Sequence, residues 1–180
     1  MDKEYIEIHT KNGKPTGEKL LKSKIHKEGL FHATVHLWIF CCKDEILIQK
    51  RSKNKKINPG IWDVSVAGHI KYQEDFIDAV IRESIEETGV LINKNKLKKI
   101  GVFFNEEIYN NFIDREFHHT YLYNAERNKI NLDFKNNEVD QLKFITYNEM
   151  KHLINNSNEY FIGSNKNYYK CVLEAINTSI

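Results

Sequence analysis

Gly68-His-Ile-Lys-Tyr-Gln-Glu74, then seven residues, then Arg82-Glu83-Ser84-Ile85-Glu86-Glu87-Thr88-Gly89-Val90 is the stretch that decides the fold. Residues 75 to 88 carry a helical pattern, and Gly89 is placed to close the helix. At about 100° per residue, Glu83, Glu86 and Glu87 share roughly one third of the circumference. Ile77, Val80, Ile81, Ser84 and Ile85 fall on the opposite half, which predicts an apolar face turned to the core. Like charges at i, i+3 and i+4 repel and destabilise a bare helix. Either lysines elsewhere neutralise a solvated acidic face, or a hard divalent cation does. Oxygen ligands suit Mg2+ or Mn2+ better than zinc, which favours nitrogen and sulfur. Mg2+ usually keeps several waters and takes further ligands from substrate phosphates, so a cation here points to a phosphorylated substrate.

Outward from this helix, His32 to Cys41 alternates with period two. Ala33, Val35, Leu37, Ile39 and Cys41 make one face; His32, Thr34, His36, Trp38 and Phe40 make the other. A turn at Lys43-Asp44 leads to a second strand, Glu45 to Lys50, then a basic loop from Arg51 to Pro59 and a short strand over 62–67. Strands are predicted over 99–106, 115–123 and 142–145, and a helix over about 147–155. Residues 4–9, with the Asn12-Gly13 turn signal, predict an N-terminal hairpin over about 4–20. Tyr169, Val172, Leu173 and Ile176, at i, i+3, i+4 and i+7, predict an amphipathic helix over about 164–178 that packs on the domain. Two prolines and no linker or repeat give a single domain over residues 1–180, of α/β or α+β class with a mixed sheet.

Composition bounds the function. The chain has 180 residues, 41% hydrophobic and 29% charged, enough to bury a core. The net charge of +2 does not nominate a partner among nucleic acid polymers. Arginines number four against 23 lysines, so few side chains can hold phosphate in a bidentate fork. Cys41, Cys42 and Cys171 have no zinc or disulfide spacing and read as reduced thiols. No apolar run reaches the ~20 residues that span a bilayer, and Met1-Asp2-Lys3-Glu4 lacks a signal-peptide profile. A cytoplasmic protein without a membrane partner is expected.

Gly68 to Val90 resembles the Nudix box: Gly, five residues, Glu, seven residues, Arg-Glu, a small or apolar residue, any residue, Glu-Glu, any residue, Gly, apolar. Ser84 departs mildly from the usual aliphatic residue, and Gln73 stands where many members have glycine. The resemblance implies a Nudix fold, an α/β/α sandwich around a mixed β-sheet, and hydrolysis of a nucleoside diphosphate linked to another moiety or a related organic diphosphate. It implies Mg2+, or Mn2+, held by Glu83, Glu86 and Glu87, with the Gly68 backbone approaching the metal or phosphate. Arg82 would orient a glutamate by a salt bridge. Glu74 would fix the loop, or simply favour the helix N-terminus as a charge.

Arg51-Ser-Lys-Asn-Lys55-Lys56 through Pro59-Gly60-Ile-Trp62, Ser65-Val-Ala67-Gly68-His69, His26 to His32, and Asp114-Arg-Glu116-Phe resemble the isopentenyl-diphosphate isomerase-like branch. Arg51, Lys55 and Lys56 suit a diphosphate, the arginine by a planar fork and the lysines as point charges. His32, His69 and Glu116 match positions that bind a metal in that branch, with His26 and Asp114 as approximate matches. Asp114, Glu116 and His118 share one strand face; they would support a second cation, act on water or hydrogen-bond in the pocket. Glu116 and Glu86 compete as general base. The isomerase carries a nucleophilic cysteine before its Gly-His, and here Ala67 stands there, which favours hydrolysis over isomerisation. An isomerase and a diphosphate sensor without turnover stay as alternatives. Trp38, Trp62, Phe103, Phe104 and Tyr109 are core aromatics or stacking surfaces for a substrate ring. The expected partner is a small-molecule diphosphate or nucleotide, with the protein a monomer or homodimer.

Overall fold

The computed structural model describes residues 4–41, 44–156 and 165–179. Among them nine strands join in one mixed sheet accompanied by four helices. The chain opens on an antiparallel hairpin, β1 (Tyr5–His9) and β2 (Pro15–Leu21), turned through Gly13 at a φ of 75°. A short helix, α1 (Lys22–Glu28), comes next and stops at Gly29, whose φ of 63° is left-handed. It was not legible in the sequence, because only Ile25 of its seven residues is buried and no apolar stripe marks it.

The spine is β3 (Phe31–Cys41). It pairs antiparallel with β1, with β4 (Glu45–Arg51) and with β6 (Val66–His69), and parallel with β8 (Phe112–Asn124). Its alternation divides two cores. Trp38 and Phe40 join one with Met150, Tyr169, Val172 and Ile176. Val35, Leu37, Ile39 and Cys41 join the other with Ala79 and Val80. The short strand expected over 62–67 is two pieces: β5 (Trp62–Asp63) pairs with β4, while β6 crosses to β3. β7 (Lys98–Tyr109) pairs with β8, and β9 (Val139–Thr146) with β4.

The quoted helix is α2 (Phe76–Thr88), with Asp75 as N-cap accepting from Ile77 N and Gly89 as left-handed C-cap. It covers the second core; α3 (Tyr147–Asn156) and α4 (Lys166–Thr178) cover the first. Helices on both faces of a mixed sheet make the α/β/α sandwich. Lys43, of the expected turn, and residue 164, at the start of the expected last helix, lie outside the described residues.

Candidate functional site

The buried face of α2 is not the purely apolar half of its helical wheel. Glu83 and Glu87 are buried with Ala79, Val80, Ser84 and Thr88, whereas Ile85 is 43% exposed. The inward face is therefore part carboxylate. The reason lies in β6, which runs beneath the helix with a glycine at the crossing. A Cβ built on Gly68 would stand 2.1 Å from Glu83 Cδ, so only hydrogen there admits the Glu83 side chain. One residue earlier, Ala67 N–H donates to Glu87 Oε2 at 2.8 Å, and Gln49 Nε2 donates to the same oxygen at 2.7 Å.

Arg82 ties the segment together. Its Nε and Nη2 grip both oxygens of Glu74 at 2.6 and 2.7 Å. Nη1 reaches Glu83 at 2.6 Å and Glu86 at 3.1 Å, and Nη2 also donates to the His69 carbonyl at 2.9 Å. One guanidinium thus stands against four carboxylates, counting Glu87. Burial pushes the Glu83 carboxyl up to about 7 despite Arg82. Burial, reinforced by the Glu83 charge, pushes Glu87 up to about 8. Two buried acids short of positive charge fit a divalent cation, and Glu83, Glu86 and Glu87 are the residues able to hold it.

A second cluster lies on the sheet beside them. β3 presents His32, β6 His69, β8 Asp114 and Glu116, and α1 His26. His26, His32, His69 and Glu116 offer ligand atoms within 4.8 Å of one another. Asp114 Oδ1 is 3.6 Å from His32 Nε2 and 3.7 Å from His26 Nε2. His32 Nε2 and Asp114 Oδ1 are buried with no hydrogen-bond partner. Orphaned buried polar atoms facing each other across 3.6 Å fit an ion between them. Burial drives His26 down to about 4 and His69 well below its usual value, leaving both neutral as ligands require. Burial would push Glu116 up, yet His118 and His32 outweigh it and hold this carboxyl well below the usual range. Asp114 moves the other way, through burial and the Glu116 charge. His36, Glu116 and His118 also offer ligand atoms close together. There, however, His36 Nδ1 is already hydrogen-bonded to the Tyr168 hydroxyl at 2.8 Å and His118 Nε2 to Glu116 Oε2 at 2.9 Å.

Both clusters open into one cavity of about 1220 Å³, which Arg51, Lys55, Lys56, Ala67, Tyr109 and Tyr168 also line. Arg51 spends its fork on Asp63 at 3.2 Å and on the Ile57 carbonyl, so it braces the basic loop from within. Lys55 pairs with Glu138 at 2.6 Å. Of the five aromatics singled out, Trp38 and Trp62 are core and Phe103 packs against it. Phe104 is exposed, and Tyr109 reaches the cavity, donating to Glu107 and accepting from Asn58. Gln49, Glu138 and Tyr168 carried no sequence signal and meet the site only through the fold; Asn58 lies in the loop quoted for the resemblance but has no role assigned there.

Comparison with known proteins agrees with this fold. The family described as NUDIX domain matches residues 30–162. Nudix hydrolase 3 of Arabidopsis thaliana is 33% identical over 90% of this chain, which spans 22% of that protein's length. An uncharacterised Nudix hydrolase of Clostridium acetobutylicum is 33% identical, covering 87% of this chain and 76% of the relative. An isopentenyl-diphosphate Delta-isomerase of Photorhabdus laumondii is 30% identical over 88% of this chain and 86% of its own. Among solved structures, a Deinococcus radiodurans protein superposes with a TM-score of 0.68 at 16% identity, over 97% of this chain and 98% of that one.

Proposed function

The chain belongs to the Nudix family, and from that premise we propose that it is a divalent-metal-dependent diphosphohydrolase that cleaves a P–O–P bond in a small organic diphosphate or nucleotide. The observation that carries this reading is the complete carboxylate set of α2, Glu83, Glu86 and Glu87, seated over Gly68 and facing a cavity that Lys55 and Lys56 also line. In the reaction a water oxygen bonds to one phosphorus while that phosphorus's bond to the bridging oxygen breaks; the bridging oxygen leaves on the other phosphorus, and two phosphate-ended products result. A cation on the α2 carboxylates would offset charge on the phosphate oxygens and acidify a water. The chain's own residues do the rest. Arg82 holds Glu83 and Glu86 in place, Ala67 N–H and Gln49 fix Glu87, and Lys55 meets phosphate as a point charge. Glu86 faces the cavity as an acceptor for the water's proton, whereas Glu116 turns one oxygen to His32 and His69 and the other to His118.

A panel of nucleoside diphosphates and triphosphates, nucleotide sugars, dinucleoside polyphosphates and thiamine-type diphosphates, run with Mg2+ or Mn2+ in ¹⁸O-water, tests this. Mass spectrometry locates the bond attacked. Tight diphosphate binding with no metal-stimulated release would convert the reading to a sensor.

The cluster of His26, His32, His69, Asp114 and Glu116 favours a second reading, an isopentenyl-diphosphate isomerase, because the isomerase-like branch binds a metal at matching positions. Ala67 weighs against it. Its methyl has no acidic proton to exchange with a carbon, and its N–H is committed to Glu87. Interconversion of the two five-carbon diphosphates by the purified protein would decide for the isomerase. In either case the five residues are read as the ligands of a second cation, a mixed set whose imidazoles suit a transition ion and whose carboxylates admit Mn2+.

A further inference from the structure

Glu116 faces two ways. Its Oε1 lies 3.4 Å from His32 Nε2 and 3.6 Å from His69 Nε2, on the side of the cation cluster. Its Oε2 lies 2.9 Å from His118 Nε2. His118 stands two residues along β8 on the same sheet face and is buried. Its ring is not free to turn. It stacks on His36 at 3.8 Å, and His36 Nδ1 shares a 2.8 Å hydrogen bond with the Tyr168 hydroxyl. That hydroxyl in turn accepts from Trp38 Nε1 at 2.9 Å, and Trp38 is fully buried in the core. A continuous chain therefore runs from the core of the molecule to one oxygen of one carboxylate.

We infer that His118 is the positioning residue of the cation site formed by His26, His32, His69, Asp114 and Glu116: by holding Glu116 Oε2 it presents Oε1 alone to the histidines. The inference rests on reading that cluster as a cation site. The physical reason is geometric. A glutamate on a strand has three rotatable bonds and two equivalent oxygens, so without an anchor it samples several poses and can chelate with both. A hydrogen bond to one oxygen selects one pose and makes the other oxygen a one-point ligand, the way outer partners orient metal ligands generally. His36 and Tyr168 act one step further out, by keeping the His118 ring in the plane that reaches Glu116.

The experiment counts Mn2+ bound to the full chain by electron paramagnetic resonance, in excess Mg2+ to occupy the carboxylates of α2. A Co2+ absorption spectrum reports the ligand geometry. The unmodified protein is expected to retain one Mn2+. His118→Phe keeps the stack on His36 but has no N–H, and should weaken Mn2+ about 10- to 100-fold and alter the Co2+ spectrum. His118→Gln restores a donor and should recover most of the affinity. Tyr168→Phe should weaken Mn2+ by less than His118→Phe does. Unchanged affinity in His118→Phe overturns the positioning role and leaves the cation site standing. Equal losses in the Phe and Gln variants, both folded by circular dichroism, also overturn it. If the Phe variant does not fold, His118→Leu against His118→Gln makes the same comparison. No Mn2+ in the unmodified protein removes the cation site itself, and the positioning role with it.

Discussion

Glu87 is fully enclosed, two hydrogen bonds hold one of its oxygens, and its carboxyl is pushed up to about 8 by burial and by Glu83. A group so placed opposes folding unless a cation joins it. Glu87→Gln keeps the shape and removes the charge, so its two effects differ in sign. Turnover should fall by about 100-fold or more, the scale of losing a group that stabilises the transition state. In chelator, the same variant should melt above the parent, by about 1–3 kcal/mol in stability. Thermal melts with EDTA and with Mg2+, alongside single-turnover assays, read both. Full activity in Glu87→Gln would remove the metal assignment. Gly68→Ala tests the seat from below: a Cβ at 2.1 Å from Glu83 Cδ must displace that side chain. Metal-dependent turnover should collapse, with about 1–3 kcal/mol of stability lost to overpacking. The identity of these residues was legible in the spacing of Gly68, Arg82, Glu83, Glu86 and Glu87. Their burial was not. A helical wheel ranks side chains by hydrophobicity, and it has no knowledge that Ala67 N–H, Gln49 and a bare glycine wait under the acidic stripe.

At the level of elements, the loop into α2 carries a local conflict that the sequence did announce. Gln73, at the position where glycine is common in the family, has a φ of 66°. L-residues lose about 1–2 kcal/mol in the left-handed region, and glycine does not. Contacts of the next residue hold the strained turn in place. Glu74 N–H donates to the Lys71 carbonyl, Glu74 Oε2 accepts from Lys71 N–H, and Arg82 grips both carboxylate oxygens. Gln73→Gly should therefore stabilise by about 0.5–1 kcal/mol, net of the glycine's added freedom when unfolded. That is roughly 1–4 °C in melting temperature for a chain of this size, without change in turnover. A lower melting temperature in Gln73→Gly would mean that the glutamine side chain makes up for its backbone. The helix α1 teaches the opposite lesson. Nothing in Lys22–Glu28 signals a helix, since most of its surface is solvent and its one anchor is Ile25. Yet α1 delivers His26 to the cluster of His32, His69, Asp114 and Glu116, so one member of that cluster came from an element that periodicity could not detect. β5 and β6 show the same limit, because partner choice, not alternation, separates two neighbouring short strands.

Across the whole molecule, β3 is the shared wall. Its apolar face closes one core, its Trp38 and Phe40 close the other, and His32, Thr34 and His36 continue the Trp38 face toward the site. The α/β/α arrangement was legible because this alternation and the α2 pattern are both strong. The meeting of the two candidate cation clusters in one cavity was not, since it depends on β6 and β8 flanking β3 in register, Val35 against Gly68 and His32 against Glu116. That register links ions to global stability. The histidines and carboxylates of the two clusters come from α1, α2, β3, β6 and β8 and meet only when the sheet forms, so a cation held by them would bind the folded chain and not the unfolded one. At a free cation concentration about 100 times its dissociation constant, one site adds about 2.7 kcal/mol. For a chain of this length that is roughly 5–11 °C in melting temperature. Melts in EDTA, in Mg2+ and in Mn2+ should therefore rise in that order, with Mn2+ serving both clusters. The two contributions separate by mutation. Glu83→Gln should remove the increment due to Mg2+ while keeping the extra one due to Mn2+, and His32→Gln should do the reverse. An increment that disappears in both variants at once would mean the two clusters hold their cations as a single coupled centre.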